Sequence, residues 1–199
     1  RPMPRSLPDP HADGGAITDP DSWLEQAPPE KGLAQWVDGY SAKEQAKAWL
    51  RSSSPVVPTE ICTAIMALGL PEAELVEAWP EHKTRFDDLG RPRQHDLLAV
   101  VSSGGRPAFV VGVEAKACES FDTLVSERSK AEAPSKKRLR CNLLSQALFG
   151  RNVMAEDHDQ ILDEELASQG YQLWTSAVGT IVEAQKHGLD EAVLLIQQF

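Results

Sequence analysis

Apolar residues recur with two different periods along this chain of 199 residues. Over residues 59–68 they fall at Ile61, Ile65 and Leu68, the spacing of an amphipathic helix, and Gly69 with Pro71 predicts its end. Ser41 followed by Glu44 has the form of a capping box, and residues 42–50 are nearly all good helix formers, so a helix is expected there too. A further short helix is expected over 72–79. From Asp96 the period changes. The runs 96–101 (Asp-Leu-Leu-Ala-Val-Val) and 109–116 (Phe-Val-Val-Gly-Val-Glu-Ala-Lys) are β-rich and flank a turn containing Gly104 and Gly105, which predicts a β-hairpin. Helical patterns return over 124–131 and 138–149, with Pro134 between them. Another follows over 171–187, with Tyr171, Trp174, Val178, Ile181 and Val182 as its apolar positions. Gly188 predicts a stop, and 192–199 reads as a buried strand. Helices between one strand and a later one normally make a crossover, so the expectation is an α/β protein with a mixed sheet.

Ahead of these elements the composition shifts. Residues 1–35 hold seven of the fourteen prolines together with Gly14-Gly15 and scattered acids, a composition that buries little, and they read as an arm or linker. Residues 36–199 then form one domain, with a helical N-terminal part over 36–82 and a core over 83–199. No run reaches the roughly 18 apolar residues that a membrane-spanning helix needs, so a soluble, cytoplasmic protein with no membrane partner is expected. Cys62, Cys118 and Cys141 are odd in number and lack metal-ligand spacing, which argues against a disulfide framework or a structural zinc site.

The net charge of −10 excludes a protein that coats nucleic acid with its whole surface. That charge is unevenly spread. Residues 83–151 carry thirteen cations and eight acids, a local charge of +5, so the acidity lies outside this segment. A basic block of this kind is either a solvated face or a phosphate-contacting strip. Within it, Lys136, Lys137, Arg138 and Arg140 open a helix. Cations at a helix N-terminus oppose the macrodipole, so they are not placed there for helix stability, and phosphate contact is the use expected of them.

Strand alternation puts Gly112, Glu114 and Lys116 on one face of the second hairpin strand, with Phe109, Val111, Val113 and Ala115 on the other. The hairpin brings Asp96 to the same open end. Two close carboxylates repel unless a cation lies between them, and hard oxygen donors select Mg²⁺ or Mn²⁺. An adjacent lysine orients a water and stabilises charge developing on a phosphoryl oxygen, so the set suits metal-assisted phosphodiester hydrolysis. Gly112 leaves room for a close approach, by backbone or by packing.

Asp96, seventeen intervening residues and then Glu114-Ala115-Lys116 at the end of an apolar strand resemble the PD-(D/E)XK nuclease superfamily, over roughly residues 59–199. The segments Trp36-Val37-Asp38-Gly39, Pro80-Glu81-His82, Val113-Glu114-Ala115-Lys116 with Glu119 and Phe121, and Tyr171-Gln172-Leu173 resemble, within it, a bacterial family of no settled substrate. The resemblance implies a restriction-endonuclease-like mixed sheet flanked by helices. It assigns the metal to Asp96 and Glu114 and the attacking water to Lys116. His95 stands where the superfamily name has a proline. Some members add a Gln-x-x-x-Tyr on the next helix, whereas here Gln146 is followed four positions on by Gly150, so Gln146 either faces the site or is an ordinary polar helix position. Glu81 is a further candidate metal ligand, and Glu60 and His82 are auxiliary candidates. The implied function is a Mg²⁺- or Mn²⁺-dependent nuclease acting on nucleic acid, with DNA the expected substrate. The alternative is an inactive binding or assembly module of a larger bacterial defence or restriction complex. A second copy of the chain, or a protein partner docked through the proline-rich arm, completes the expected partners.

Overall fold

The computed structural model describes residues 17–52, 55–70, 72–103, 106–117, 123–130, 135–155 and 159–199. The predicted hairpin is its centre, formed by β4 (Leu97–Ser103) and β5 (Arg106–Lys116) in antiparallel register with Leu97 opposite Val113. Residues 97–102 of β4 are all buried, as expected of an inner strand covered on both faces. On one side of the hairpin β1 (Glu74–Pro80) pairs antiparallel with β4. On the other, β6 (Ala192–Gln198) pairs parallel with β5, giving the order β1-β4-β5-β6. The parallel pairing requires a crossover, supplied by α4 (Val125–Ser129), α5 (Lys136–Phe149), α6 (Glu164–Ala167) and α7 (Tyr171–Lys186). The protein is therefore a mixed α/β fold with a mixed central sheet.

Helices cover both faces of that sheet. Alternate side chains Leu97, Ala99, Val101, Phe109, Val111 and Val113 pack against Trp49 of α2 (Ser41–Trp49) and Ile61 and Ile65 of α3 (Thr59–Ala67). On the opposite face Leu98, Val100 and Val110 meet Ala184 of α7. A separate cluster around Cys141, Leu144, Met154, Trp174 and Val178 joins α5 to α7.

Two expectations are corrected. The segment 72–79 contains β1 instead of a helix: Glu, Leu and Ala favour helix locally, but the outer edge of β4 offers backbone groups that need partners, and that pairing overrides weak propensity. The arm also ends earlier than residue 35. Pro20–Gln26 is a helix, α1, whose N-cap Asp19 accepts a hydrogen bond from the Ser22 N–H at 2.8 Å and whose Trp23 is buried in the sheet-facing core. Residues 1–16 lie outside the described residues. So do Gly104 and Gly105 of the turn, Cys118, Glu119, Phe121 and Pro134. The two cysteines described, Cys62 and Cys141, are free thiols. Among the described residues no helix is long and apolar enough to cross a membrane.

Candidate active site

The site forms where the hairpin opens. Asp96 immediately precedes β4, and its Oδ2 accepts a hydrogen bond from the Ala115 N–H at 2.7 Å, which fixes it between Glu114 and Lys116. Upstream, β1 ends at Pro80 and the chain turns at Glu81, whose φ of 53° lies in the left-handed region that a non-glycine residue adopts at a cost. The turn is held by the surrounding structure: the Glu81 N–H donates to the Asp96 carbonyl at 3.0 Å and the His95 N–H to the His82 carbonyl at 2.8 Å. A short ribbon, β2 (Lys83–Thr84) with β3 (Arg93–Gln94), then returns the chain to Asp96. Glu81, Asp96, Glu114 and Lys116 thus line one cavity of about 320 Å³, together with Arg93, Gln94 and Gln172.

The hydrogen bonds of this cavity centre on Glu114, which is 1% exposed. Its Oε1 accepts from Lys116 Nζ at 2.9 Å and from Gln172 Nε2, and its Oε2 accepts from an Arg93 guanidinium nitrogen and from Ser176 Oγ at 3.3 Å. Asp96 is otherwise placed. Burial, and then the neighbouring Glu114 charge, push its carboxyl up to about 7. Burial likewise raises Glu81 to about 7, against the opposing effect of its hydrogen bond from Gln94.

Three carboxyl groups crowded into one partly enclosed cavity, two of them driven towards the neutral form, are a donor set that suits a hard divalent cation in kind. The positive charge among them is supplied here by Arg93 and Lys116. Among the described residues no three His, Cys, Asp or Glu side chains are arranged to hold a metal ion, and the oxygens of Glu114 accept hydrogen bonds from Arg93 and Lys116.

The structure therefore brings Asp96, Glu114, Lys116 and Glu81 together. The other predicted residues lie elsewhere. Glu60 pairs with Arg51 at 3.1 Å on the exposed side of α3, and His82 faces Glu183 at 3.5 Å. Gln146 donates to Asn152 on the exposed face of α5, at 3.0 Å, and does not reach the cavity. The basic strip divides. Lys136 and Lys137 are exposed, but Arg138 is buried and paired with Asp159, and Arg140 is buried and paired with Asp87 at 2.8 Å. A strip of four cations presented together is thus corrected to two, because on a helix only part of a five-residue run can face water.

Sequence reasoning overlooked Arg93, Gln94, Gln172 and Ser176. The signal for the last two was present: Gln172 and Ser176 are four apart, hence on one helix face, and that face is polar where its neighbours are apolar. Gly112 is a packing glycine. A Cβ there would lie 2.1 Å from Thr180 Oγ1, so its absence lets α7 sit close enough for Gln172 and Ser176 to reach Glu114.

Fold and site together define an α/β protein with a buried carboxylate and lysine cluster at the end of its central hairpin. Residues 16–199 match the family model DUF6946, a domain of unknown function, and the chain belongs to that family. No curated protein and no solved structure matches the chain.

Proposed function

We propose that the protein is a divalent-metal-dependent nuclease of the PD-(D/E)XK type, hydrolysing phosphodiester bonds in nucleic acid, with DNA as its expected substrate. The observation that carries this reading is the convergence of Asp96, Glu114 and Lys116 on one cavity, through the hydrogen bond from the Ala115 N–H to Asp96. The strand order supports it as well, since three antiparallel strands and a fourth joined in parallel by crossover helices suit a restriction-endonuclease-like core.

Asp96 and Glu114, with Glu81 beside them, would hold the Mg²⁺ or Mn²⁺ ion, which would supply Lewis-acid stabilisation of charge on the phosphoryl oxygens. Lys116 Nζ orients the attacking water by a hydrogen bond and adds positive charge beside the phosphate. Gln172 and Ser176 hold Glu114 in place, and the low exposure of the cavity floor limits competing water. The water oxygen bonds to phosphorus as the ester P–O bond breaks, and the proton lost by the water balances the one gained by the leaving oxygen.

One observation favours a second reading. Glu114 already accepts four hydrogen bonds, so Arg93 could stand permanently in place of a metal, in an inactive module that binds without cutting. Calorimetric titration with Mn²⁺ separates the two. The nuclease reading expects saturable binding that Asp96→Asn abolishes, whereas no heat of binding in either chain contradicts it and supports the inactive module.

A further inference from the structure

We propose that Arg93 is an autoinhibitory plug of the carboxylate site, an internal cation that holds the place of a divalent metal on Glu114 and must leave it before the metal binds. This rests on the metal-dependent nuclease reading and adds its regulation. A guanidinium nitrogen of Arg93 donates to Glu114 Oε2, so one oxygen of the most buried acid in the site is covered by a cation that the chain itself supplies. Arg93 also lines the cavity beside Asp96 and Glu81, and its charge attracts both of their carboxylates. One side chain therefore serves all three acids, as a bound ion would, since close carboxylates repel unless a cation lies among them. Asp96 and Glu81 are less engaged. Each of their carboxyls accepts one hydrogen bond, from the Ala115 N–H and from Gln94, whereas Glu114 accepts four. Release of Glu114 is thus the step that decides metal binding.

A second buried arginine shows what permanent pairing looks like in this fold. Arg140 is bonded to Asp87 Oδ2 at 2.8 Å and to the Arg91 carbonyl at 2.9 Å, and its guanidinium lies 4.9 Å from the centre of the Phe86 ring. Gly90 packs directly on it, since a Cβ there would come within 2.2 Å of Arg140 Nη1. Arg93 lacks such a lock. It stands on β3, a strand of two residues, and its Nε is buried without a hydrogen-bond partner, so Glu114 satisfies the guanidinium only in part. An unsatisfied buried donor is costly, and a pair short of the bidentate form is weaker than a fork can make. Arg93 borders an adjoining cavity of about 340 Å³ as well as the first, which gives the displaced side chain a place to go. Its departure leaves Glu114 Oε2 with the Ser176 hydroxyl alone, while Lys116 and Gln172 stay on Oε1.

The test is calorimetric titration of the chelator-stripped chain with Mn²⁺ alone. Wild type is expected to bind weakly and Arg93→Gln about tenfold or more tightly, a gain that a further Asp96→Asn abolishes. Arg91, exposed two positions away, lines the adjoining cavity but not the first. Arg91→Gln removes the same charge without touching Glu114 and is expected to bind as wild type. Thermal unfolding supplies a second readout. Without Arg93 a buried carboxylate loses a cationic partner, so Arg93→Gln is expected to melt below wild type in chelator and to be raised more than wild type by Mn²⁺. A merely structural arginine gives the lower melting temperature without the rescue. Arg93→Lys keeps the charge but not the planar fork, covers the case of an Arg93→Gln too unstable to titrate, and is expected to bind Mn²⁺ more tightly than wild type. Equal affinity in wild type and the Arg93 variants, an equal gain in Arg91→Gln, or no binding in any chain overturns the plug. Tighter binding by Arg93→Gln in a chain that cuts no nucleic acid leaves the plug and refutes the nuclease reading. Metal-dependent cutting by a wild type whose Mn²⁺ affinity is indifferent to Arg93 does the reverse.

Discussion

Glu114 is the side chain on which the structure leans most heavily. It is buried, it accepts from Arg93, Lys116, Gln172 and Ser176, and no apolar replacement satisfies those donors. Removing one partner of a buried ion pair leaves the other uncompensated, so Glu114→Ala is expected to destabilise the fold by about 3–5 kcal/mol, read as a lower denaturant midpoint. Glu114→Gln keeps the volume and part of the hydrogen bonding and is expected to cost less. Equal losses in the two variants contradict this account of the network. Gly112 offers a second, independent test. Gly112→Ala forces its Cβ into Thr180 and is expected to cost about 1–3 kcal/mol, and adding Thr180→Ala, which removes the obstructing Oγ1 and Cγ2, is expected to recover part of the loss. Additive losses in that double variant, measured by denaturant unfolding, contradict the contact.

At the scale of elements, α7 carries the most information because it serves two neighbours at once. Tyr171, Trp174 and Val178 face the cluster shared with α5, and this apolar period was readable in the chain. Its other stripe, half-buried Gln172 and buried Ser176, Thr180 and Glu183, faces β5 and the Glu81 turn. That stripe is polar, so hydrophobic periodicity passes over it, and Ile181, which the same periodicity turns inward, is 42% exposed. The hairpin was legible for the opposite reason: β4 and β5 are inner strands whose continuous apolar runs and Gly-rich turn need no knowledge of their neighbours. β1 and the β2–β3 ribbon were illegible since pairing with β4, and the return of Arg93 to Glu114, create them. The lower end of the α7 stripe makes a pH prediction. Burial pushes the Glu183 carboxyl up, but hydrogen bonds from His82 and Lys186 outweigh this and hold it down at about 2. A carboxyl depressed from an unfolded value of 4.5 contributes stability that is complete above pH 4.5 and fades as pH falls through 2, about 3 kcal/mol in all. The stability difference between wild type and Glu183→Gln is therefore expected to shrink as pH falls below 4.5. A difference that does not change between pH 6 and pH 3 by about 1 kcal/mol or more contradicts the assignment.

For the whole molecule, residues 17–35 belong to the fold. Trp23 is 4% exposed within the core that covers one sheet face, and Pro29, Glu30 and Gln35 line the cavity that holds Asp96 and Glu114. Composition alone hid this, because one buried tryptophan outweighs a proline-rich surrounding. Trp23→Ala is expected to cost about 3–5 kcal/mol in denaturant unfolding, and a cost below about 1 kcal/mol contradicts the packing. The uneven charge noted in the sequence also takes on a shape: the basic middle segment does not form one strip, but contributes Arg93 and Lys116 to the carboxylates and Arg91 to the cavity beside them. Hydrolysis of phosphodiesters by these groups, as proposed, is read from cleavage itself. Wild-type chain and Lys116→Ala, matched in folding by circular dichroism, are incubated with duplex DNA, single-stranded DNA and RNA in Mg²⁺, in Mn²⁺ and in chelator. The expected result is metal-dependent cleavage of at least one substrate, slowed about a hundredfold or more in Lys116→Ala. No cleavage of any substrate, or cleavage that Lys116→Ala leaves unchanged, contradicts it.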